Sequence, residues 1–177
     1  MKTLEQVRMY SVPVSDPRVR ELITWYLKAL QRAVDIIWEN TEWRYVFPKV
    51  EKKSGKLRVT APYKVKVPEL PRSSAFKKRL RDELLKECPY AKHWVDAVIR
   101  TAYSVMESWR RYLKGRAKKF KPRVRRRFAR CKVTLMRVDY ERKAIRVTLK
   151  PGEYLEVSWD KSGSPGGLRV GEWERLY

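Results

Sequence analysis

The sequence is poor in the residues that most enzymes use for acid–base, nucleophilic and metal chemistry. Its 177 residues include one histidine, His93, and two cysteines, Cys88 and Cys131, neither of which belongs to a CxxC pair. A zinc centre needs several such ligands at short spacing, so neither a metal nor a cofactor is predicted. We interpret His93 as a surface residue and the cysteines as free thiols, with a Cys88–Cys131 disulfide as the alternative.

Long apolar runs are also missing. No stretch reaches the roughly 20 apolar residues of a membrane-spanning helix, and the first residues lack the apolar core of a signal peptide. We therefore expect a cytoplasmic protein with no membrane partner. Side-chain amides are limited to Gln6, Gln31 and Asn40, while 36% of the residues are charged. That composition is typical of a hyperthermophile protein.

Acidic residues are scarce relative to basic ones. Forty-three Lys and Arg face 20 Asp and Glu, giving a net charge of +23. Self-repulsion of this size opposes a compact fold unless a polyanion offsets it, and nucleic acid is the usual polyanion for a basic intracellular protein. RNA, DNA or both are the predicted partners, and an acidic protein partner is the alternative.

The hydrophobic pattern predicts strands on either side of a group of helices. Residues 6–12 alternate as a strand, and Asp16 followed by Pro17 indicates the start of a long amphipathic helix over about 17–41. Two further helices are predicted, one capped by Ser73 or Ser74 and one over about 91–114. Between the first two helices, Ser54-Gly55 suggests a hairpin. From Cys131 onward the period changes to two, which predicts an antiparallel meander with turns at 139–143 and at Pro151-Gly152.

The predicted fold class is therefore α+β: a small antiparallel β-barrel of the wedge or OB type with an inserted bundle of about three helices. The barrel is assigned to residues 1–14 and 120–177. The helical insertion is assigned to 15–119, with a basic hairpin or loop near 46–70.

One segment concentrates the positive charge. Residues 114–132, here called the basic segment, hold eleven Lys or Arg, no acid, and the aromatic residues Phe120 and Phe128. Arginine suits phosphate because its planar guanidinium donates two hydrogen bonds at once. The two rings either stack on bases or anchor the segment to the core. If a strand begins early, Arg123, Arg125 and Arg127 project to one side.

The predicted nucleic-acid-binding residues come from four parts of the chain, and no catalytic residue is predicted. They are Lys114, Arg116, Lys118, Lys119, Lys121, Arg123, Arg125, Arg126, Arg127 and Arg130 of the basic segment, Tyr63, Lys64 and Lys66 of the hairpin region, Lys77 and Lys78 of the second helix, and Arg100 and Arg111 of the third.

The order of these elements resembles the N-terminal half of the TnpB proteins of insertion sequences. The similarity rests on three stretches: "EQVRMYSVPVSDPRVRELITWYLKALQRAVDIIWEN", "AVIRTAYSVMESWRRYLKGRAKKFKPRVRR" and "KAIRVTLKPGEYLEVSW". The resemblance implies a wedge barrel and a recognition lobe that together hold a guide RNA and read a short motif on target duplex DNA.

The family's RuvC-like nuclease and zinc ribbon would follow residue 160, and their residues are not found in these 177 positions. We therefore expect no enzymatic activity, and a separate nuclease domain or subunit is a further candidate partner. Two alternatives remain at this stage. One is a stand-alone RNA-binding or ribosome-associated protein, and the other is a basic assembly subunit for an acidic protein.

Overall fold

Three helices and seven strands make up the described part of the chain. The computed structural model describes residues 16–46, 50–53, 56–59, 65–113 and 120–158. The elements, in chain order, are α1 (Pro17–Glu39), β1 (Glu42–Val46), β2 (Val50–Lys53), β3 (Lys56–Val59), β4 (Val65–Glu69), α2 (Ser74–Leu85), α3 (Lys92–Leu113), a 3₁₀ turn (Val133–Leu135), β5 (Met136–Asp139), β6 (Ala144–Lys150) and β7 (Glu153–Ser158). The α+β class is confirmed.

The helix starts follow from their capping residues. The Asp16 carboxylate accepts a 2.9 Å hydrogen bond from the Arg18 amide, and Pro17 occupies the first turn, where no amide is needed. Ser73 caps α2 by accepting from the Phe76 amide at 3.2 Å. The predicted caps of both helices are confirmed, with Ser73 rather than Ser74 serving α2.

α1 and α3 form the centre of the core and run parallel to each other. The Tyr26 hydroxyl lies 3.3 Å from the carbonyl of Ala97. Nearer the C-terminal ends of both helices, the ring centroids of Trp38 and Trp109 lie 5.0 Å apart. The predicted apolar stripe of α1 is fully buried, as is that of α2. Buried on these stripes are Leu22, Tyr26, Leu30, Val34, Ile37, Phe76, Leu80 and Leu84.

A nested hairpin joins α1 to α2. β2 pairs with β3 on either side of positions 54–55, as predicted. β1, which precedes β2, pairs with β4, which follows β3. The sequence pattern did not reveal β1. Trp43 of β1 contacts Trp38 and Trp109 edge-on, with centroids 6.3 and 5.9 Å away, so an aromatic cluster packs the hairpin against the helices.

The three-stranded sheet β5-β6-β7 packs against the start of α3. The backbone amide of Ala91 donates to the carbonyl of Leu149 at 2.9 Å, and the Trp94 indole donates to the carbonyl of Thr148 at 2.9 Å. Both predicted turns are confirmed, and Gly152 adopts a positive φ of 81° in the second. The first predicted strand, residues 6–12, lies outside the described residues, so closure into a barrel stays a prediction.

The predicted strand start at Cys131 is wrong. Val133–Leu135 form a 3₁₀ turn, closed by the Leu135 amide bonding to the Lys132 carbonyl at 2.9 Å, and β5 begins only at Met136. Val133 is 80% exposed, whereas Leu135 is buried. Leu135 is the residue of this turn that packs in the core. Because a 3₁₀ turn has three residues per turn, the side chains do not alternate as they would in the predicted strand. Both cysteines are free thiols.

Candidate nucleic-acid interface

The described part of the basic segment, residues 120–132, lies along α1 in the opposite direction. Lys121 contacts Asp35, Val124 contacts Gln31, and Phe128 contacts Tyr26. Between the contacts of Val124 and Phe128 the chain bends at Arg126.

The bend decides which arginines share a surface. Before it the burial alternates: Pro122 and Val124 are half-buried, whereas Lys121, Arg123 and Arg125 are exposed. After Arg125 the alternation ends, and Arg126 and Arg127 are exposed as well. No strand begins in this stretch, so the condition for Arg123, Arg125 and Arg127 to lie on one side is not met. The alternating burial places only Arg123 and Arg125 on a shared side.

Polar contacts from α1 fix the segment. The Gln31 side-chain oxygen accepts from the Val124 amide at 2.9 Å, and its amide nitrogen donates to the Pro122 carbonyl at 3.4 Å. The Lys121 ammonium lies 2.8 Å from the Asp35 carboxylate. Burial raises the pKa of Asp35, but the hydrogen bonds from Lys121 and Gln31 outweigh it, so that pKa lies below its usual range.

A buried tyrosine fixes the far end of the segment. The Tyr26 hydroxyl lies 2.8 Å from the Thr101 hydroxyl and 3.3 Å from the Ala97 carbonyl. Burial is the main reason that the pKa of Tyr26 is raised, so the phenol stays neutral. The ring of Phe128 packs 6.2 Å from the Tyr26 ring.

The two phenylalanines of the basic segment have different surroundings. Phe128 is half-buried against the core, so it anchors the chain. Phe120 is 72% exposed and lines an open concavity of about 480 Å³ together with Lys121, Arg123 and Arg125. Phe120 is therefore the ring placed to meet a ligand.

Most cations in the described part of the segment, residues 120–132, have no carboxylate partner among the described residues. Within residues 16–46, 50–53, 56–59, 65–113 and 120–158, no carboxylate lies within ion-pair distance of Arg123, Arg125, Arg126, Arg127 or Arg130. Lys121 and Lys132 are the exceptions, at 2.8 Å from Asp35 and 3.9 Å from Asp96. Like charges that neighbour one another without carboxylates repel, and a bound polyanion would relieve that repulsion.

A second group of predicted residues meets between two helices. Lys77 and Lys78 of α2 and Arg100 of α3 line one open groove of about 540 Å³, here called the α2–α3 groove. The sequence analysis missed its other lining residues, which are Arg72, Arg81, Asp96, Ile99 and Tyr103. Arg81, Asp96 and Tyr103 lie three or four residues from Lys77, Lys78 or Arg100, which was the available signal for these three.

The remaining predicted residues do not join these two surfaces. Lys66 of β4 lies over the exposed Tyr45 ring at 5.5 Å, and Arg111 is exposed near the end of α3. The other predicted residues, Lys114, Arg116, Lys118, Lys119, Tyr63 and Lys64, lie outside the described residues.

His93 takes part in an ion-pair cluster around Asp96. Its Nδ1 lies 3.3 Å from the Asp96 carboxylate, which also accepts from Arg81 at 2.8 Å. Burial raises the pKa of Asp96, but the hydrogen bond and charge of Arg81 outweigh it and leave that pKa lowered. Among the described residues, no group of three His, Cys, Asp or Glu is placed to hold a metal ion. None of the described helices is long and apolar enough to cross a bilayer.

The fold and surface define a strongly basic α+β protein whose helical core carries exposed arginines that have no carboxylate partner in the described part of the chain. A family model, the Uncharacterized protein MJ0013 family, matches residues 22–148, which include α1 from its sixth residue onward and the whole described basic segment. The chain belongs to this family.

Two relatives from Methanocaldococcus jannaschii support that assignment. Uncharacterized protein MJ0013 is 42% identical over 128 residues, covering 71% of this chain and 79% of the relative. TnpB-like protein MJ1635 is 37% identical over 123 residues, covering 69% of this chain but 25% of the relative. The chain thus spans about a quarter of the TnpB-like protein, and the relationship to TnpB-like proteins is confirmed. No solved structure matches the chain.

Proposed function

We propose that this chain binds the phosphate backbone of RNA, DNA or both, as the non-catalytic part of a TnpB-type nucleic-acid-binding system. The observation that carries the proposal is the row of exposed arginines between Arg123 and Arg130, which have no carboxylate partner among the described residues. Anchors at Gln31, Asp35 and Tyr26 hold this row in place. A surface that is fixed in place loses less conformational entropy on binding than a flexible tail does.

The chemistry of the surface suits phosphate. The guanidinium groups of Arg123 and Arg125 flank one concavity, where each can donate two hydrogen bonds to a phosphate. Phe120, at the edge of that concavity, offers a ring face on which an unpaired base can stack. Contacts of this kind grip the backbone and tolerate many sequences.

The relative named TnpB-like makes the proposal more specific. By the resemblance described above, the sheet belongs to a wedge barrel, the helices belong to a recognition lobe, and the bound molecules are a guide RNA and target DNA. The proposal assigns no catalytic step to this chain. It also leaves room for a nuclease domain or subunit as a partner.

The test compares nucleic-acid binding by wild type and an Arg123/Arg125/Arg126/Arg127→Ala variant across a salt series. Structured RNA, duplex DNA and single strands serve as ligands. Wild type should bind with a steep salt dependence, because each phosphate contact contributes about 0.9 to the slope. The variant should bind more weakly and with a flatter slope.

A matched control removes the same charge from other places. Arg44, Lys86, Arg110 and Arg142 each lie within 4 Å of a carboxylate: 2.6 Å from Glu69, 2.7 Å from Glu83, 3.7 Å from Glu107 and 3.8 Å from Asp139. Their quadruple Ala variant should lose less affinity than the basic-segment variant. Equal losses would mean that net charge alone drives binding. Absence of any binding at about 0.15 M salt would refute the proposal and direct attention to an acidic protein partner.

A further inference from the structure

The α2–α3 groove carries cations on both walls and an apolar floor. Ile99 and Tyr103, one turn apart on α3, are half-buried at the floor. Lys77, Lys78 and Arg81 come from α2, Arg72 from the residues before it, and Arg100 from α3. The residues that line this groove differ from those that line the concavity at Phe120, and Lys132, the last residue of the basic segment, lies 3.9 Å from Asp96 of the groove.

Three of the cations in the groove are already engaged. Arg81 donates to Asp96 at 2.8 Å, and Arg72 pairs with Glu107. The Lys77 ammonium lies 5.6 Å from the centroid of the Tyr103 ring. These contacts neutralise the two carboxylates and fix the walls.

Lys78 and Arg100 are different, because neither has an ion pair with any carboxylate in the part of the chain that the structure describes. They come from opposite helices and line the same groove. Two uncompensated cations above an apolar floor match a ligand that joins an anionic group to a flat, weakly polar one.

The size of the groove separates the forms of nucleic acid. A volume of about 540 Å³ falls within the range of pockets that hold one small molecule, about 300–1,000 Å³. A duplex keeps its bases stacked inside, so it can offer only phosphates to the rim. A single strand can turn one base out and place it against a protein side chain.

We propose that the α2–α3 groove holds one unstacked nucleotide of a single strand. Its phosphate lies between Lys78 and Arg100, and its base lies against Tyr103 and Ile99. When the base covers the Tyr103 ring, Lys77 leaves that ring and becomes a third cation for the phosphate. The Tyr103 hydroxyl donates to the Pro71 carbonyl at 2.5 Å, which holds the ring in place. This inference rests on the proposed nucleic-acid binding and adds that the α2–α3 groove takes single-stranded nucleic acid.

The test uses a Lys78→Gln/Arg100→Gln variant of the full chain. The probes are a fluorescein-labelled ten-nucleotide single-stranded RNA and a blunt duplex of the same length. The variant should bind the single strand about tenfold more weakly, while its duplex affinity changes less than about twofold. Tyr103→Leu should show the same selectivity, with an unchanged urea midpoint confirming that it folds.

An Arg79→Gln/Lys86→Gln variant removes two charges from the same helix as a matched control. Arg79 lies over the Phe76 ring and bonds to Asn40, and Lys86 pairs with Glu83, so neither lines the groove. This variant should bind the single strand like wild type.

Three outcomes would overturn the inference. The first is an equal loss for single strand and duplex in the Lys78/Arg100 variant, and the second is an equal loss in the control variant. The third is displacement of the single strand by a ten-residue glutamate peptide at equal concentration, which would assign the groove to acidic peptides. A wild-type protein that binds neither probe refutes the proposed function itself, so the two failures are distinguishable.

Discussion

The backbone amide of Val124 donates a 2.9 Å hydrogen bond to the side-chain oxygen of Gln31, which lies 93 residues earlier in the chain. Gln31 therefore supplies the basic segment with hydrogen-bond partners for its backbone, as a neighbouring strand does in a sheet. It satisfies a backbone group of an otherwise irregular stretch and sets which side chains face solvent. Pro122, whose carbonyl also bonds to Gln31, turns toward α1, while Arg123 between these two residues is exposed.

Replacing Gln31 with Ala should release the middle of the basic segment. The Val124 amide and the Pro122 carbonyl lose their partner, and a net cost of about 1 kcal/mol in the free energy of unfolding is expected. Urea denaturation measures that cost, and hydrogen exchange at Val124 should accelerate. Lys28→Ala, an exposed position on the same helix, is the control and should leave both measurements near wild type. Unchanged exchange at Val124 in the Gln31 variant would contradict the anchoring role.

Phe120 and Phe128 should respond in opposite ways to truncation. Phe120→Ala removes an exposed ring and should leave stability unchanged, while single-strand affinity falls by about 1–3 kcal/mol, the usual value of a base–aromatic stack. Phe128→Ala removes a half-buried ring that packs on Tyr26, so its effect should appear in the urea midpoint. Fluorescence anisotropy and urea denaturation of both variants check this. A lower urea midpoint for Phe120→Ala, together with weaker single-strand binding but unchanged stability for Phe128→Ala, would contradict these roles.

The helices and their buried faces could be predicted from the sequence because each signal is local. Asp16, Pro17 and Ser73 act within one turn, and the apolar stripe of α1 repeats at the helical period over about four turns. The β6–β7 hairpin was equally readable, since Pro151-Gly152 marks its turn and both flanking strands alternate. The strand β1 was missed because its partner, β4, lies about twenty residues away and the pairing leaves no local pattern.

The candidate site was predictable in composition but not in geometry. Charge alone pointed to the basic segment, but the division of its phenylalanines depends on contacts with Tyr26 and the path along α1. The bend at Arg126 could not be predicted, because no Gly or Pro stands at positions 124–128 to indicate it. The α2–α3 groove needed the packing of two helices to bring Lys78 and Arg100 to one surface.

Removal of the Tyr26 hydroxyl should destabilise the protein through a buried contact. In Tyr26→Phe the buried hydroxyl of Thr101 loses one of its two contacts, and the carbonyl of Ala97 loses the hydroxyl of Tyr26. An unsatisfied buried group costs about 1–3 kcal/mol, so the free energy of unfolding should fall by about that amount. Tyr45→Phe, with a ring that is 63% exposed, is the matched control and should change it by less than about 0.5 kcal/mol. Equal effects of the two changes would argue against the buried hydrogen bond.

The pair of Asp35 and Lys121 should give the protein an acid-sensitive contribution to its stability. Because the pKa of Asp35 is lowered in the folded state, the folded protein binds fewer protons at this site than the unfolded chain does. The contribution is therefore complete above the unfolded pKa of about 3.9 and is lost as the pH falls through the lower folded value. Asp35→Asn should reduce the free energy of unfolding at pH 7 by about 0.5–1 kcal/mol, since both side chains are partly exposed, and the difference from wild type should shrink toward pH 3. In a Lys121→Gln background the same substitution should have a smaller effect at pH 7, because the partner charge is already gone. Urea denaturation of the four proteins between pH 3 and pH 7 measures both effects, and a difference between Asp35→Asn and wild type that did not change with pH would show that the carboxylate is not stabilised in its charged form.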